Sequence, residues 1–465
     1  MNWHDKTVLI MGLGTKDGGV GAALFAARQG ARVWVSDLQP AEALAESMAA
    51  LADVPVRWLL GRHDAADFAA ADVVIANETI PRSHPLLRHA AAQGAVIESP
   101  MSLFGQGVRL PFIGVTGTKG KSTVSHLVGH MLAADGAEAV VAGNNCVSAL
   151  RHLRASPLVL ELSSQQLPEL TRHGVAPHVA CWTCFFPDHL NAYGGDLDAY
   201  FADKARITQH QGAPDFLVLP RGDARLRALP TAARRVFFGA TSLGRAPGWE
   251  VGVEAGDVVA RMGAGTLRWP LAALPAPWRV SHPLELVLAG MATALAWGAS
   301  PAAVWRGACS FPGLPSRFRQ VAHWKGLRFI DDSAASTPES VVCALRAVAA
   351  WGPVVLIGGG GGDKGLDFSQ WGREVAARVE ALLLLGENPG SARLAAAAAP
   401  HAALEVIPVA DLAEAVAVGV ARLGRCGGGT LLLSPGCCGW PAFPDQFVRG
   451  RRFCEAVEAL TARAD

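Results

Sequence analysis

Three places in this chain gather residue types that handle phosphate and divalent cations. The first is PFIGVTGTKGKSTVSHLVGHML, residues 111–132. It reads as a short buried strand (Phe112 to Val115), a tight loop (Thr116 to Gly120) and a helix opening at Lys121. Glycines at 117 and 120 let the backbone curl so that several N–H groups point into one cavity. Such a nest at a helix N-terminus suits phosphate oxygens. Lys121 adds a mobile positive charge for the outer phosphates, and the hydroxyl of Ser122 or Thr123 can reach Mg²⁺. Only two residues separate the loop's glycines, where the usual phosphate loop has four. Strand, nest, lysine, hydroxyl and helix nevertheless arrive in the order a nucleotide-phosphate site requires.

The second place is LVLELSSQQL, residues 158–167, a strand ending in Glu161 and polar groups. A carboxylate at the C-terminal edge of a parallel strand beside the phosphate loop is where a Mg²⁺ ligand belongs; an acid that merely caps the following turn is the alternative. The third is Asp188-His189, ending the strand-like run CWTCFF (181–186). Alone, His189 would be a packed loop residue; beside Asp188 at a strand's end it becomes a candidate second metal ligand. A helix carrying Lys204 follows.

The elements around these places alternate strand and helix, the pattern of α/β domains. Residues 7 to 37 read strand, Gly-rich turn, helix, strand, and Gly12, Gly14, Gly18, Gly19 and Gly21 mark the turn. Asp37 ends the second strand, where dinucleotide-type units keep a ribose-binding acid. The spacing is not G-x-G-x-x-G, so a ligand-binding turn and a purely structural one stay open. Further strands are expected at Val73 to Ala76 and Gly94 to Glu98. Residues 235 to 270 carry short strand signals (VFFGA, WEVGV, VVARM, TLRWP) and predict a small antiparallel sheet. FPGLPSRFRQV (311–321) reads as a hinge, and a third α/β unit follows. Its turns at Asp331-Asp332-Ser333 and Gly358 to Gly362 stand out. The predicted division is 1–106, 107–310 and 311–465: a Rossmann-like domain, a central phosphate-loop domain with a parallel sheet and the small antiparallel one, and a second Rossmann-like domain.

Composition bounds the rest. With 465 residues, 51% hydrophobic and 17% charged, the chain can build large cores. A net charge of +1 implies no basic surface for nucleic acid. No signal-peptide pattern precedes the first strand, and the best apolar run, Leu284 to Trp297, is short and contains Glu285. A soluble cytoplasmic protein is expected. Nine scattered cysteines argue against a disulfide framework. Cys181 and Cys184 have C-x-x-C spacing, with no second pair nearby, and read as buried small apolar residues.

Aligned together, GVTGTKGKST, LELSSQQL, PDHLNAYG with Lys204 fifteen residues after His189, LPSRF, FIDDSAAST and LLLSPGCCG…FVRGRRF resemble the Mur ligase family over nearly the whole chain. The resemblance implies ATP-dependent amide-bond formation in peptidoglycan precursor synthesis through an acyl phosphate. Segment order and lengths are nearest the member that adds D-glutamate to UDP-N-acetylmuramoyl-L-alanine, acting as a monomer. It implies that Gly117, Thr118, Lys119, Gly120, Lys121, Ser122 and Thr123 bind ATP, with Arg317 and Asp332 contributing from the C-terminal domain. Ser122 and Glu161 would hold one Mg²⁺ and His189 a second. Lys204 would carry a carbamate made with CO₂. Gly14, Thr15 and Asp37 match the uridine end. Asn144, Ser163 and Gln166 match positions near the muramoyl-peptide. Ser336, Lys364, Ser434 and Phe443 match the pocket of the incoming amino acid.

The chain departs from the family pattern at six places. Lys119 stands where the loop usually has asparagine and reads as an extra phosphate contact, and Cys438 follows Cys437 where the pattern has no second cysteine. NETIP (77–81) stands where Ser/Asn-Pro-Gly-Ile is usual, HPLEL (282–286) where H-N-x-x-N is usual, Ala334 where lysine is frequent, and WPAF (440–443) where Asp-x-Phe is usual. These changes leave open two rivals: a paralogue taking L-glutamate or another acid–amine pair, and a nucleotide-binding subunit without turnover.

Overall fold

The computed structural model describes residues 3–188, 190–240, 248–263, 265–361, 366–437, 443 and 445–462, without the side chains of 190, 191, 281 and 282. The chain divides into two compact units, Met1–Leu271 with Leu286–Cys309, and Ala272–Glu285 with Ser310–Asp465.

The first unit holds two sheets. β1 (Thr7–Met11), β2 (Arg32–Asp37), β3 (Val56–Leu60), β4 (Val73–Ala76) and β5 (Val96–Glu98) form a parallel sheet in the order β3-β2-β1-β4-β5. β1 is buried along its whole length, as a central strand covered on both faces must be. The helix Asp17–Arg28 leaves the turn after β1 so closely that a Cβ on Gly19 would lie 2.4 Å from the Leu13 carbonyl oxygen.

The second sheet has nine strands. They are β6 (Ile113–Thr116), β7 (Val140–Gly143), β8 (Leu158–Glu161), β9 (Val179–Trp182), β10 (Phe216–Pro220), β11 (Arg234–Gly239), β12 (Trp249–Glu254), β13 (Asp257–Met262) and β14 (Gly265–Pro270), ordered β14-β13-β12-β11-β10-β9-β6-β8-β7. The antiparallel strands expected after residue 235 are present. They do not stand apart: β12 pairs parallel with β11 and antiparallel with β13, so the ribbon extends the parallel sheet. Register fixes the geometry that matters. Val115 on β6 is level with Glu161 on β8, Glu161 with Gly143 on β7, and Thr116 with Trp182 on β9. Four strands therefore end along one edge, where α/β sheets place their ligands.

Behind that edge, the helix Lys121–Ala134 meets the helices Ser281–Trp297 and Pro301–Ser310 at glycines. A Cβ on Gly290 would come within 2.8 Å of Leu127, and one on Gly307 within 2.7 Å of the Met131 Cα. The first two expected domains, except residues 272–285 and 310, fall in one unit. A bidentate ion pair joins them: Arg82 Nε and Nη2 donate to Glu169 at 2.8 and 2.6 Å. Arg172 reaches the same carboxylate at 3.1 Å.

The second unit contains β15 (Arg319–Trp324), β16 (Leu327–Asp331), β17 (Val354–Gly358), β18 (Ala381–Leu385), β19 (Glu405–Val409) and β20 (Gly429–Leu433), in the order β15-β16-β20-β17-β18-β19. Only β15 runs antiparallel. Alternate residues of β16 and β20 face two cores, one around Ile330, Leu432 and Trp371, the other around Phe329, Leu431 and Phe453. The stretch read as a hinge runs directly into β15 at Arg319. Among the described residues no helix is long and apolar enough to cross a membrane.

The close helix contact yields a test. Gly307→Val forces a branched side chain against the Met131 backbone, and overpacking of this kind costs about 1–3 kcal/mol. The melting transition of the purified variant should fall by several degrees; an unchanged transition would mean that the helices part at no cost.

Candidate active site

The phosphate loop is built as the spacing predicts, and its neighbours hold it. Gly117 has φ +141° and Gly120 φ +85°, both in the region that favours glycine. A Cβ at 117 would fall 2.0 Å from Thr183 Oγ1, and one at 120 would fall 2.5 Å from Leu286. The segment after β9 supplies most of the loop's partners. Thr118 N–H donates to the Cys184 carbonyl at 2.9 Å, and Thr183 Oγ1 donates to the Lys119 carbonyl. The Thr118 hydroxyl donates to Phe186 O at 3.1 Å and accepts from Phe186 N–H at 3.2 Å. Cys184 Sγ accepts from Lys119 N–H and donates to Lys119 O, both at 3.4 Å. Burial pushes the Cys184 thiol up, keeping it protonated and able to donate. Cys184 thus braces the loop, a role that the C-x-x-C reading missed. Cys181 is a buried core residue, as expected.

The helix Lys121–Ala134 begins at Gly120 with no side chain capping its N-terminus. Its first-turn amides and positive dipole end are left for a ligand. Ser122 and Thr123 are buried at this turn. Lys121 Nζ donates to the carbonyls of Gly117 and Thr118 at 3.0 and 3.2 Å. The ammonium thus rests on the carbonyl side of its own loop.

Lys204 approaches the same point. On the helix Leu197–Ala205 it is 2% exposed, and its Nζ lies 3.0 Å from Gly117 O and 4.8 Å from the centre of the Tyr200 ring. Burial, and then the charge on Lys121, hold its pKa well below the usual lysine value. Burying an ion costs several kcal/mol, so burial favours the neutral amine.

Glu161, 2% exposed, ends β8 beside the loop. Its Oε1 accepts from Asn144 Nδ2 at 3.0 Å, and its Oε2 is buried without a hydrogen-bond partner. A buried carboxylate oxygen left in that state is costly unless a cation or water satisfies it. A hard carboxylate oxygen of this kind, with the Ser122 hydroxyl that the resemblance assigns beside it, fits Mg²⁺, an ion that keeps several water ligands. Among the described residues no three His, Cys, Asp or Glu side chains cluster as a metal site. Asp188, 3% exposed, pairs with Lys119 Nζ at 3.1 Å. The loop lysine read as an extra phosphate contact therefore neutralises a buried acid. His189, expected as a metal ligand, lies outside the described residues.

Of the positions matched to the uridine end, Gly14 and Thr15 sit on the turn after β1, and Asp37 closes β2. The Asp37 carboxylate accepts from Leu13 N–H and Gly14 N–H at 2.8 and 3.0 Å, and from Gln39 N–H at 2.8 Å. It shapes the turn, and Thr15 is exposed on it. Asn77, Asn144 and Gln166 border one cleft with Lys16 and Glu78. Ser163 and Gln166 hold each other: Ser163 N–H donates to Gln166 Oε1 at 3.0 Å and Gln166 N–H to Ser163 Oγ at 3.2 Å.

In the second unit, the two acids of FIDDSAAST hold LPSRF. Asp331 accepts from Ser316 N–H at 3.0 Å, and Asp332 from Phe318 N–H at 3.1 Å and Ser434 Oγ at 2.9 Å. Ser316 and Phe318 have φ of +66° and +47°, a strained turn that these bonds secure. Burial and the neighbouring Asp331 push the Asp332 carboxyl up to about 7, against the pull of Arg317. FVRGRRF packs on the same turn: Arg449 Nη2 donates to Ser333 O at 2.6 Å. Ser336 is half-buried beyond β16, and Phe443 rests against the core around Phe329. Lys364, Cys438 and Trp440 lie outside the described residues, as does the side chain of His282.

Two family models match the chain: the Mur ligase middle domain over residues 115–248, and the Mur ligase glutamate ligase domain over residues 316–437. The UDP-N-acetylmuramoylalanine–D-glutamate ligase of Roseiflexus sp. (strain RS-1) is 36% identical, covering 99% of this chain and 100% of that protein. The enzyme of the same name from Geobacter metallireducens is 32% identical over 99% of each. Among solved structures, the UDP-N-acetylmuramate–alanine ligase of Thermotoga maritima superposes with a TM-score of 0.62 at 19% identity, covering 98% of this chain and 100% of that one. A pseudomurein peptide ligase type C from Methanothermus fervidus gives the same score at 16% identity and the same coverage. These two likenesses concern the fold.

The loop geometry yields its own test. Gly117→Ala places a methyl group against Thr183 Oγ1 on a backbone that only glycine adopts readily. Binding of a fluorescent ATP analogue should weaken by about tenfold or more, with the circular dichroism spectrum retained. Undiminished binding would mean that the loop does not hold the nucleotide.

Proposed function

The chain belongs to the Mur ligase family, and from that membership we propose that it joins D-glutamate to UDP-N-acetylmuramoyl-L-alanine, coupled to cleavage of ATP. The names of its full-length relatives support the substrate pair. The observation that carries the chemistry is the uncapped helix start with Lys121 on its loop, beside a strand that ends in the half-satisfied Glu161 carboxylate.

The substrate carboxylate attacks the γ-phosphorus of ATP, the bond to ADP breaks, and an acyl phosphate forms. The amine of glutamate then attacks the acyl carbon, phosphate leaves, and the amine loses a proton. No protein nucleophile is required; the protein neutralises charge and aligns the reactants. The amides of Gly117 to Gly120 and the first turn of the following helix bind phosphate oxygens. Lys121 turns from its own carbonyls to the outer phosphates. Ser122 and Glu161 would hold Mg²⁺, which supplies charge neutralisation on the phosphates, and His189 is assigned to a second ion by resemblance. Lys119 neutralises the buried Asp188 carboxylate. The neutral Lys204 amine is suited to add to CO₂: its nitrogen forms a bond to carbon, one proton leaves, and the product is an anion beside Lys121. Arg317 and Asp332 are assigned to ATP, and Ser336, Lys364, Ser434 and Phe443 to the incoming glutamate. Gly14, Thr15 and Asp37 would take the uridine end, and Asn144, Ser163 and Gln166 the muramoyl end. The enzyme would act in the cytoplasm as a monomer.

A second reading, another acid or amine on the same scaffold, draws on Glu78, a carboxylate bordering the cleft at a place altered from the family pattern.

Release of ADP should require both UDP-N-acetylmuramoyl-L-alanine and D-glutamate. Turnover with a different pair, and none with this one, would favour the second reading. Lys121→Ala should lower kcat by about 10²-fold or more; retained ATP cleavage would remove the phosphate-loop mechanism. Protein equilibrated with ¹³C-bicarbonate should show a carbamate carbon signal that Lys204→Gln lacks, and a spectrum identical in both would refute the modification.

A further inference from the structure

One acid in the muramoyl-side cleft has no part in the mechanism above. Glu78 lies on the turn after β4, and its Oε1 accepts Met101 N–H at 2.8 Å, at the start of the helix Pro100–Gly107. It borders a cleft of about 180 Å³, together with Lys16, Asn77, Asn144 and Gln166. Lys16 is the single cation of that lining and Glu78 the single acid. The helix Asp17–Arg28 starts at Lys16 with no side chain capping its N-terminal amides. One ammonium, three side-chain amides and an open helix start favour an anionic group such as a phosphate ester. A carboxylate among them opposes the same ligand.

The other charges around Glu78 do not relieve it. Its two clefts are bordered by Lys16, by Arg82 on its own turn, by Glu98 at the end of β5, by Glu169 on the helix Gln166–Thr171, and by Asp203 on the helix Leu197–Ala205. Arg82 is held bidentately by Glu169, and Arg172 lies between Glu169 and Glu98. Burial, with Glu169 adding to it, holds the Glu78 carboxyl up at about 7 despite its backbone hydrogen bonds.

We propose that Glu78 makes binding of the UDP-linked substrate proton-linked: its carboxyl is protonated when the anionic end of that substrate occupies the cleft. This rests on the reading that the cleft takes the UDP-linked substrate. The sign follows from linkage. Below the carboxyl's own pKa the proton is already in place and affinity is flat. Above it each binding event must draw a proton from solution, so affinity falls by up to about tenfold per pH unit. The diphosphate diester of the substrate keeps its charge throughout this range and contributes no slope of its own.

The test is calorimetric titration of UDP-N-acetylmuramoyl-L-alanine into the full-length protein from about pH 6 to 9, in buffers of different ionisation enthalpy so that protons are counted. Wild type should lose about tenfold or more in affinity from about pH 7 to 8.5 and take up close to one proton. Glu78→Gln keeps an acceptor for Met101 N–H, and it should bind with a flat profile and no proton uptake. Uridine, which lacks phosphates, should bind both proteins without pH dependence. Wild-type binding with a flat profile, or an equal slope in Glu78→Gln, overturns the inference and leaves the substrate assignment standing. No binding by wild type at any pH overturns both.

Discussion

One carbonyl oxygen, that of Gly117, receives two amines. Lys121 and Lys204 both place Nζ 3.0 Å from it. Lys204 is 2% exposed, and burial first, then the charge on Lys121, lower its pKa, while Lys121 is only partly buried. In the proposed mechanism this difference in burial suits Lys121 to phosphate oxygens and Lys204 to carbamate formation. Glycine is required for the arrangement, since any side chain at 117 would displace Thr183 and the carbonyl with it.

The edge of the nine-stranded sheet gives the constraint its position. Parallel strands bring their C-terminal ends together, and register places Glu161, Gly143, Val115 and Cys181 on adjacent rungs. Glu161 then holds one neighbour, Asn144, twice. Its side chain takes Asn144 Nδ2, and its backbone carbonyl takes Asn144 N–H at 2.9 Å. The same residue thus fixes the start of the segment that borders the cleft of Lys16, Glu78 and Gln166.

Much of this was legible in the chain. The strand–loop–helix at 112–132 and the acid closing β8 follow from hydrophobic runs broken by glycine, because local sequence dictates them. What escaped sequence reasoning depends on partners far along the chain. Lys119 reads as a phosphate contact until Asp188, 69 residues on, is seen to claim it. Cys184 reads as an inert apolar residue until its sulfur is found on the Lys119 backbone. β12–β14 alternate correctly for an antiparallel ribbon, but nothing in their pattern says that β12 also pairs with β11. β3 was passed over because it is a half-buried edge strand with mixed residues. Glu78 was marked as a departure, and its seat on the Met101 amide depends on where the helix Pro100–Gly107 begins.

The loop between Gly117 and Gly120 is two residues shorter than the usual phosphate loop, and the segment Thr183 to Phe186 explains how it keeps its shape. That segment receives or supplies the hydrogen bonds of Thr118 and Lys119. The curl is thus encoded in two stretches more than 60 positions apart. A drift in one stretch is tolerable only with a matching drift in the other, so across descendants of this chain the two should be inherited as a single co-varying block.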